Sequence, residues 1–237
     1  IVTFTAPMIW DFMEEVTFWL DVDDGVPANA SSDEVVVTVY NLACTVYPLG
    51  SGHFKDMLHL GDIPEDRITA PLSINLDPLE AFGGQALVNP RPDEPYDFTD
   101  TGVDVTTNPM TWTAVHRDNG WFMWHGRAGQ DLSDFEQIYH IYIISPENRE
   151  VVWRFRHDDE VRGWNNGGVA FSRDGWDGNV ERIRYGVAGR PGGMGLSKGV
   201  NSMTFKYEEG GGGNFIAVGL TDLDGNDFTD LYYSLGP

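Results

Sequence analysis

The chain reads as an all-β protein, an antiparallel sandwich or jelly-roll barrel with long loops and room for a small additional β subdomain. Three observations carry this expectation. Short runs rich in Val, Ile, Phe, Tyr and Trp recur along the chain, and several alternate with a period of two residues. Turn formers punctuate them, with 28 glycines and 13 prolines in 237 residues. Helical periodicity is sparse, so crossovers that would link parallel strands are missing and antiparallel pairing should prevail.

Taken in order, the first clear strand is 16–22, followed by a long β-branched run from Glu34 to Tyr47. Weaker strand patterns follow at 67–75 and 110–117. Asn119-Gly120 between 110–117 and 121–125 predicts a two-residue hairpin, because both central positions of such a turn need φ > 0. In that register His116 faces Met123 and Ala114 faces His125. Further strands are expected at 137–144, 150–157, 169–172, 180–188, 202–207, 215–220 and 231–234. In 150–157, Val151, Trp153 and Phe155 form one face, and Val152, Arg154 and Arg156 the other. Single helical turns are expected at 77–82 and 131–137. Two zones break the pattern: the Pro- and acid-rich stretch 89–100, and the Gly-rich stretch 190–213. The expected organisation is one domain over residues 1–237, with 89–100 as the candidate internal junction.

Charge is the strongest compositional signal. The chain carries 37 Asp and Glu against 15 Lys and Arg, a formal net charge of −22, and only Lys55, Lys198 and Lys206 are lysines. Such a surface repels itself in dilute buffer, but at molar salt the screening length falls to about 3 Å. The composition therefore points to a protein built for brine. It excludes direct binding of nucleic acid, which needs clustered cations, and disfavours anionic membranes. No run reaches the length of a membrane-spanning helix. The lone Cys44 lies in an apolar run and reads as a buried thiol. The start, Ile1-Val2-Thr3-Phe4-Thr5, has no basic region of a secretory signal, and a chain beginning at Ile1 implies processing or further residues ahead of it.

Few residues carry recognisable chemistry. Asp222, Asp224, Asn226 and Asp230 place oxygens at relative positions 1, 3, 5 and 9, which resembles a calcium loop; the glycine falls at position 4 and no glutamate closes the loop. Calcium is thus the one cofactor the sequence raises, and the bland alternative is an Asp-Gly turn. Asp21, Asp23 and Asp24 read as a turn. His116 and His125 would be diagonal neighbours on the hairpin, but no further zinc ligands stand at recognisable spacing. Neither a nucleophile elbow nor a phosphate-binding glycine loop occurs, so no catalytic residues are assigned and the chain is not expected to be an enzyme. Trp164 and Trp176 sit in polar, Gly-rich contexts and are the candidates for carbohydrate contact by stacking. Asn29-Ala30-Ser31 is a glycosylation sequon.

Acidic composition, β content and Gly- and Pro-rich loops give the whole chain a general character that resembles the jelly-roll major capsid proteins of icosahedral viruses of halophilic archaea. The resemblance implies upright single barrels assembled over an internal membrane, with loops or a small β domain facing outward. It implies a structural subunit of a virion, whose partners are copies of itself and other shell proteins. No motif carries a family residue onto a position of this chain. Two other classes fit the same pattern. One is an exported β-sandwich that binds or cleaves polysaccharide, which expects an exposed tryptophan platform beside a cleft. The other is a cell-surface or filament subunit that donates its first strand, residues 1–5, to a neighbour.

Overall fold

The computed structural model describes residues 13–22, 31–40, 46–50, 52–64, 77–103, 105, 107–122, 135–173, 181–186, 195–209 and 215–237. The chain forms two compact units, Ile1–Cys44 and Thr45–Pro237. In the first, β1 (Met13–Val22) and β2 (Ser31–Tyr40) pair antiparallel from Met13↔Tyr40 to Val22↔Ser31. The run Val35 to Val39 supplies the β-branched residues that favour such a ladder.

The second unit is all-β and antiparallel. Its strands are β3 (Val46–Pro48), β4 (Asp56–Pro64), β5 (Pro95–Tyr96), β6 (Met110–Thr111), β7 (Thr113–His116), β8 (Phe135–Ser145) and β9 (Val151–Asp158). They continue with β10 (Glu160–Asn165), β11 (Gly168–Arg173), β12 (Arg182–Gly186), β13 (Gly199–Glu209), β14 (Phe215–Thr221) and β15 (Tyr232–Ser234). A large sheet runs β11-β10-β13-β8-β15-β3, with β4 also on β8 and β7 on β4. Along one edge of β8, β4 takes residues 135–140 and β15 takes 142–144. A second sheet runs β12-β9-β14, and β5 with β6 forms a third.

The two main sheets pack face to face. Tyr139, Ile141, Ile143, Met203, Phe205 and Tyr207 of the large sheet join Trp153, Phe155, Ile216, Val218 and Leu220 of the small one in a single core. The rings of Phe155 and Phe171 stack with centroids 4.2 Å apart. The opposite face of the large sheet is covered too. Leu58, Leu60, Ile63 and Ile138 meet Leu79, Val88, Tyr96, Phe98, Met110 and Trp112 from the irregular segment between β4 and β7. Every residue of β8 is consequently buried. The stretch 89–100 is part of this cover, inside the second unit; the boundary between units falls at Cys44/Thr45.

Several expectations need correction. Asn119-Gly120 does not form the expected two-residue turn; β7 pairs with β4, which sets His116 opposite Asp56 and Ala114 opposite Leu58. Only Gly120 takes a positive φ, 67°, so the two positive values that the two-residue turn requires are absent. The Gly120 N–H donates to Arg117 O at 2.9 Å, the Trp121 N–H to Asn119 Oδ1 at 3.0 Å, and Phe122 then bridges Ile216 on β14. This turn carries the chain from one sheet to the other. Glycine is needed there: a Cβ would lie 2.7 Å from Phe54 O and from His53 Cβ. The polar, Gly-rich segment that follows Trp164 forms a tight hairpin, with Asn166 and Gly167 at φ 48° and 81° and Asn165 paired to Gly168. The helical turn at 77–82 appears as a 3-10 helix, Glu80–Phe82, whereas 135–137 belong to β8 and 131–134 lie outside the described residues. Of the run from Glu34 to Tyr47, residues 34–40 belong to β2 and 46–47 to β3, and 41–45 lie outside the described residues. The strand expected at 67–75, Met123, His125, Cys44, Asn29 and residues 1–5 also lie outside the described residues.

Candidate functional site

The outward face of the small sheet holds a concavity with charged residues in its lining. Direct partners in antiparallel strands share a face. Val152 therefore stands beside Thr221, Arg154 beside Gly219, and Arg156 beside Ala217. Gly219 has no side chain because the chain crosses over it: a Cβ there would lie 2.2 Å from Gly52 O. That crossing, an isolated bridge between His53 and Gly219, delivers His53 to the same face.

Glu181, just ahead of β12, organises the cluster. Arg154 Nη2 donates to its Oε2 at 2.8 Å, while Arg156 Nε and His53 Nε2 stand 3.6 and 3.8 Å from Oε1. Arg156 also lies over the ring of Trp121, 5.8 Å from its centroid, and Trp121 stacks on Phe215 at 4.8 Å. Beside this cluster opens a cleft of about 370 Å³ lined by Val152, Arg154, Glu181, Thr221, Leu223, Asp224 and Gly225. The volume falls in the range of small-molecule sites, roughly 300–1,000 Å³.

The electrostatics favour binding over proton donation. Burial alone would raise the Glu181 carboxyl. The Arg154 hydrogen bond and the charges of Arg154, Arg156 and His53 outweigh it and hold Glu181 below the usual carboxylate range. Burial lowers His53, helped by Arg156 and Arg154 and opposed by Glu181. An ionised glutamate and a neutral histidine result at neutral pH. A glycosidase acid needs the reverse, a carboxyl raised so that it keeps its proton.

The loop that resembled a calcium site forms one wall of this cleft, through Leu223, Asp224 and Gly225. Asp222 is occupied in building it. Its Oδ1 accepts the N–H groups of Asp224 at 2.9 Å and Asn226 at 2.7 Å, and its Oδ2 accepts Asn226 Nδ2 at 3.0 Å. Hydrogen bonds from Asn226, and from the backbone of Asp224 and Gly225, hold its carboxyl low. Asp230 is drawn away by Arg149, whose Nη1 donates to Oδ1 at 2.8 Å and whose Nη2 meets Oδ2. Asp222 and Asn226 are thus together, Asp224 is exposed on the rim, and Asp230 is in an ion pair elsewhere. A cation would have to displace the Asn226 amide and Arg149 to gather all four. Among the described residues no group of three or more His, Cys, Asp or Glu is placed to hold a metal.

Of the other candidates, Trp164 is buried in β10 at 5% exposure, with Arg162 5.4 Å over its ring. Trp176, Asp23 and Asp24 lie outside the described residues, and Asp21 lies in β1. His116 is held between two carboxylates, Nδ1 2.6 Å from Asp56 Oδ1 and Nε2 3.0 Å from Asp118 Oδ1, and these bonds raise its pKa. The Arg154–Glu181 cluster went unread in the sequence. Arg154 and Arg156 were legible as the polar face of β9, but nothing in the spacing linked them to Glu181 or His53.

No protein-family model matches the chain, and no curated protein matches it. Among solved structures it is similar to a selenomethionine-labelled β-glucosidase from Kluyveromyces marxianus, with a TM-score of 0.38 and 11% identity over 50% of this chain. It is also similar to the β-glucosidase of that organism in complex with glucose, with a TM-score of 0.36 and 15% identity, again over 50% of this chain. The chain spans 15% and 14% of the length of those two structures. Among the described residues no helix is long and apolar enough to cross a membrane.

Proposed function

We propose that this chain is a structural subunit of a self-assembling protein shell, a jelly-roll capsid protein of a halophilic virus. The observation that carries the reading is where the large aromatics sit. Among the tryptophans whose side chains are described, Trp112 and Trp153 are fully buried, Trp164 nearly so and Trp121 partly, stacked on Phe215, and none of the residues lining the cleft is aromatic. Tryptophans used for packing fit a scaffold; a polysaccharide-binding sandwich would present them as an exposed platform. The depressed Glu181 carboxyl also speaks against acid catalysis in the cleft. The partners on this reading are further copies of the chain and other shell proteins, and its place is the virion. With a net charge of −22, copies repel in dilute buffer and associate once salt screens them, through apolar and hydrogen-bonded contacts.

The test is size-exclusion chromatography with light scattering at about 0.2 M and then about 3 M NaCl, where the screening length is below about 3 Å. Large, regular oligomers appearing at high salt are the expected result. A compact monomer at both salts overturns the proposal.

A further inference from the structure

We infer that the cleft between β9, β14 and the 222–226 turn binds a neutral sugar, whose adjacent hydroxyls pair with Arg154, Glu181 and Thr221. This goes beyond a shell role and moves carbohydrate contact away from Trp164 and Trp176.

The first observation is Thr221. It lines the cleft, is 1% exposed, and its Oγ1 has no hydrogen-bond partner among the described residues. Buried hydroxyls are nearly always satisfied by protein, water or ligand, so an unsatisfied one on a cleft wall calls for an oxygen or nitrogen inside the cleft. A threonine hydroxyl both donates and accepts, which suits another hydroxyl.

The second observation is the state of the neighbouring ion pair. Arg154 gives one N–H to Glu181 Oε2, and its side chain is 35% exposed, leaving further donors of the guanidinium fork. Glu181 Oε1 stands 3.6 and 3.8 Å from Arg156 and His53, beyond hydrogen-bond length, and keeps its acceptor capacity. A donor and an ionised acceptor side by side match two adjacent hydroxyls, one accepting from Arg154 and one donating to Glu181.

Charge and shape select the class of ligand. Arg154, Glu181 and Asp224 give the lining one positive and two negative groups, so an anion gains little and the arginine opposes a bare cation. Leu223, 51% exposed on the rim, and Val152 on the floor offer apolar surface for the C–H face of a sugar ring. Without an aromatic platform in the lining, binding is weak, with a Kd of about 1 mM or above.

Saturation-transfer NMR on the full chain tests this, with the methyl glycosides of glucose, mannose and galactose as probes. Transfer to the ring protons of at least one is expected. Affinity should fall about tenfold in Thr221→Val and Arg154→Gln, the loss expected for one or two hydrogen bonds. Asp224→Ala, on an exposed turn whose fold is set by Asp222, should weaken binding less while leaving the thermal transition in place. No transfer to any probe at tens of millimolar overturns the inference. Transfer unchanged in all three variants also overturns it, as does loss of the signal on adding sodium sulfate at constant ionic strength, which would mark an anion site.

Discussion

Along the middle of β8 and β13 the two faces of the large sheet are both buried, yet they are filled by different chemistry. Toward the small sheet, residues 139, 141 and 143 of β8 and 203, 205 and 207 of β13 are Tyr, Ile, Ile, Met, Phe and Tyr. On the other face of the same two strands stand Glu136, His140, Thr204, Lys206 and Glu208, all buried, beside Ile138. Lys206 Nζ meets Glu136 Oε1 at 2.5 Å with both side chains fully buried, and His140 Nδ1 lies 2.9 Å from Thr204 Oγ1. The difference teaches how each face answers change. An apolar face loses stability in proportion to the volume removed, whereas a buried charge that loses its partner keeps its full desolvation cost.

The sharpest way to break this contrast is Lys206→Met, which removes the ammonium 2.5 Å from Glu136 Oε1. A loss of about 3–5 kcal/mol is expected from chemical denaturation, and most of it should return in the double variant Lys206→Met/Glu136→Leu. Because the pair is buried, the loss should persist at high salt. A single variant with near-native stability would remove the distinction between the faces.

A smaller effect is expected on titration. Burial lowers His140 to about 3, against 6.5 for an ordinary histidine. The unfolded chain therefore binds the extra proton first as pH falls. The stability that neutral His140 provides is complete above pH 6.5 and drains away toward pH 3, up to a few kcal/mol. Unfolding free energies measured between those limits should show a shallower slope in His140→Gln. His53, also lowered, acts in the same direction, and His116, which is raised, acts in the opposite one.

The smallest change belongs to the apolar face. Ile141→Val removes one methylene from a fully buried site and should cost about 0.5–1.5 kcal/mol with no pH dependence. A pH-dependent loss there would couple the two faces and weaken the comparison.

The pair of Asn-Gly sequences shows how far the chain can be read without its structure. At 166–167 the dipeptide makes the tight hairpin that its chemistry favours; at 119–120 it makes a corner that leads to the bridge of Phe122 with Ile216 on the other sheet. Local turn chemistry was legible at both places, but which strand the chain meets after the turn is a long-range matter. The same holds for β4. Gly61 and Pro64 are poor strand residues, yet β4 is held by β8 on one side and β7 on the other, with a bulge at Gly61 where a Cβ would lie 2.1 Å from the His59 ring. The alternation of β9 was visible directly. For the candidate site, the 222–226 turn was legible as a turn rich in oxygen ligands. Its place opposite Arg154 depends on the β9–β14 register, which no local pattern encodes.

β15 lies between β8 and β3, and among the described strands it is the only partner of β3. On the ribosome, β3 emerges near the start of the second unit and must wait for nearly all the rest of it before that partner appears. Tyr233 on β15, whose hydroxyl reaches Asp56 Oδ2 at 2.5 Å on β4, fastens the same seam. Nascent chains should therefore acquire the β8–β13 core first and close this seam only once β15 has emerged. Until then an unpaired edge is exposed to any neighbouring chain. A three-residue strand thus sets the moment at which one newly made molecule becomes distinct from the next.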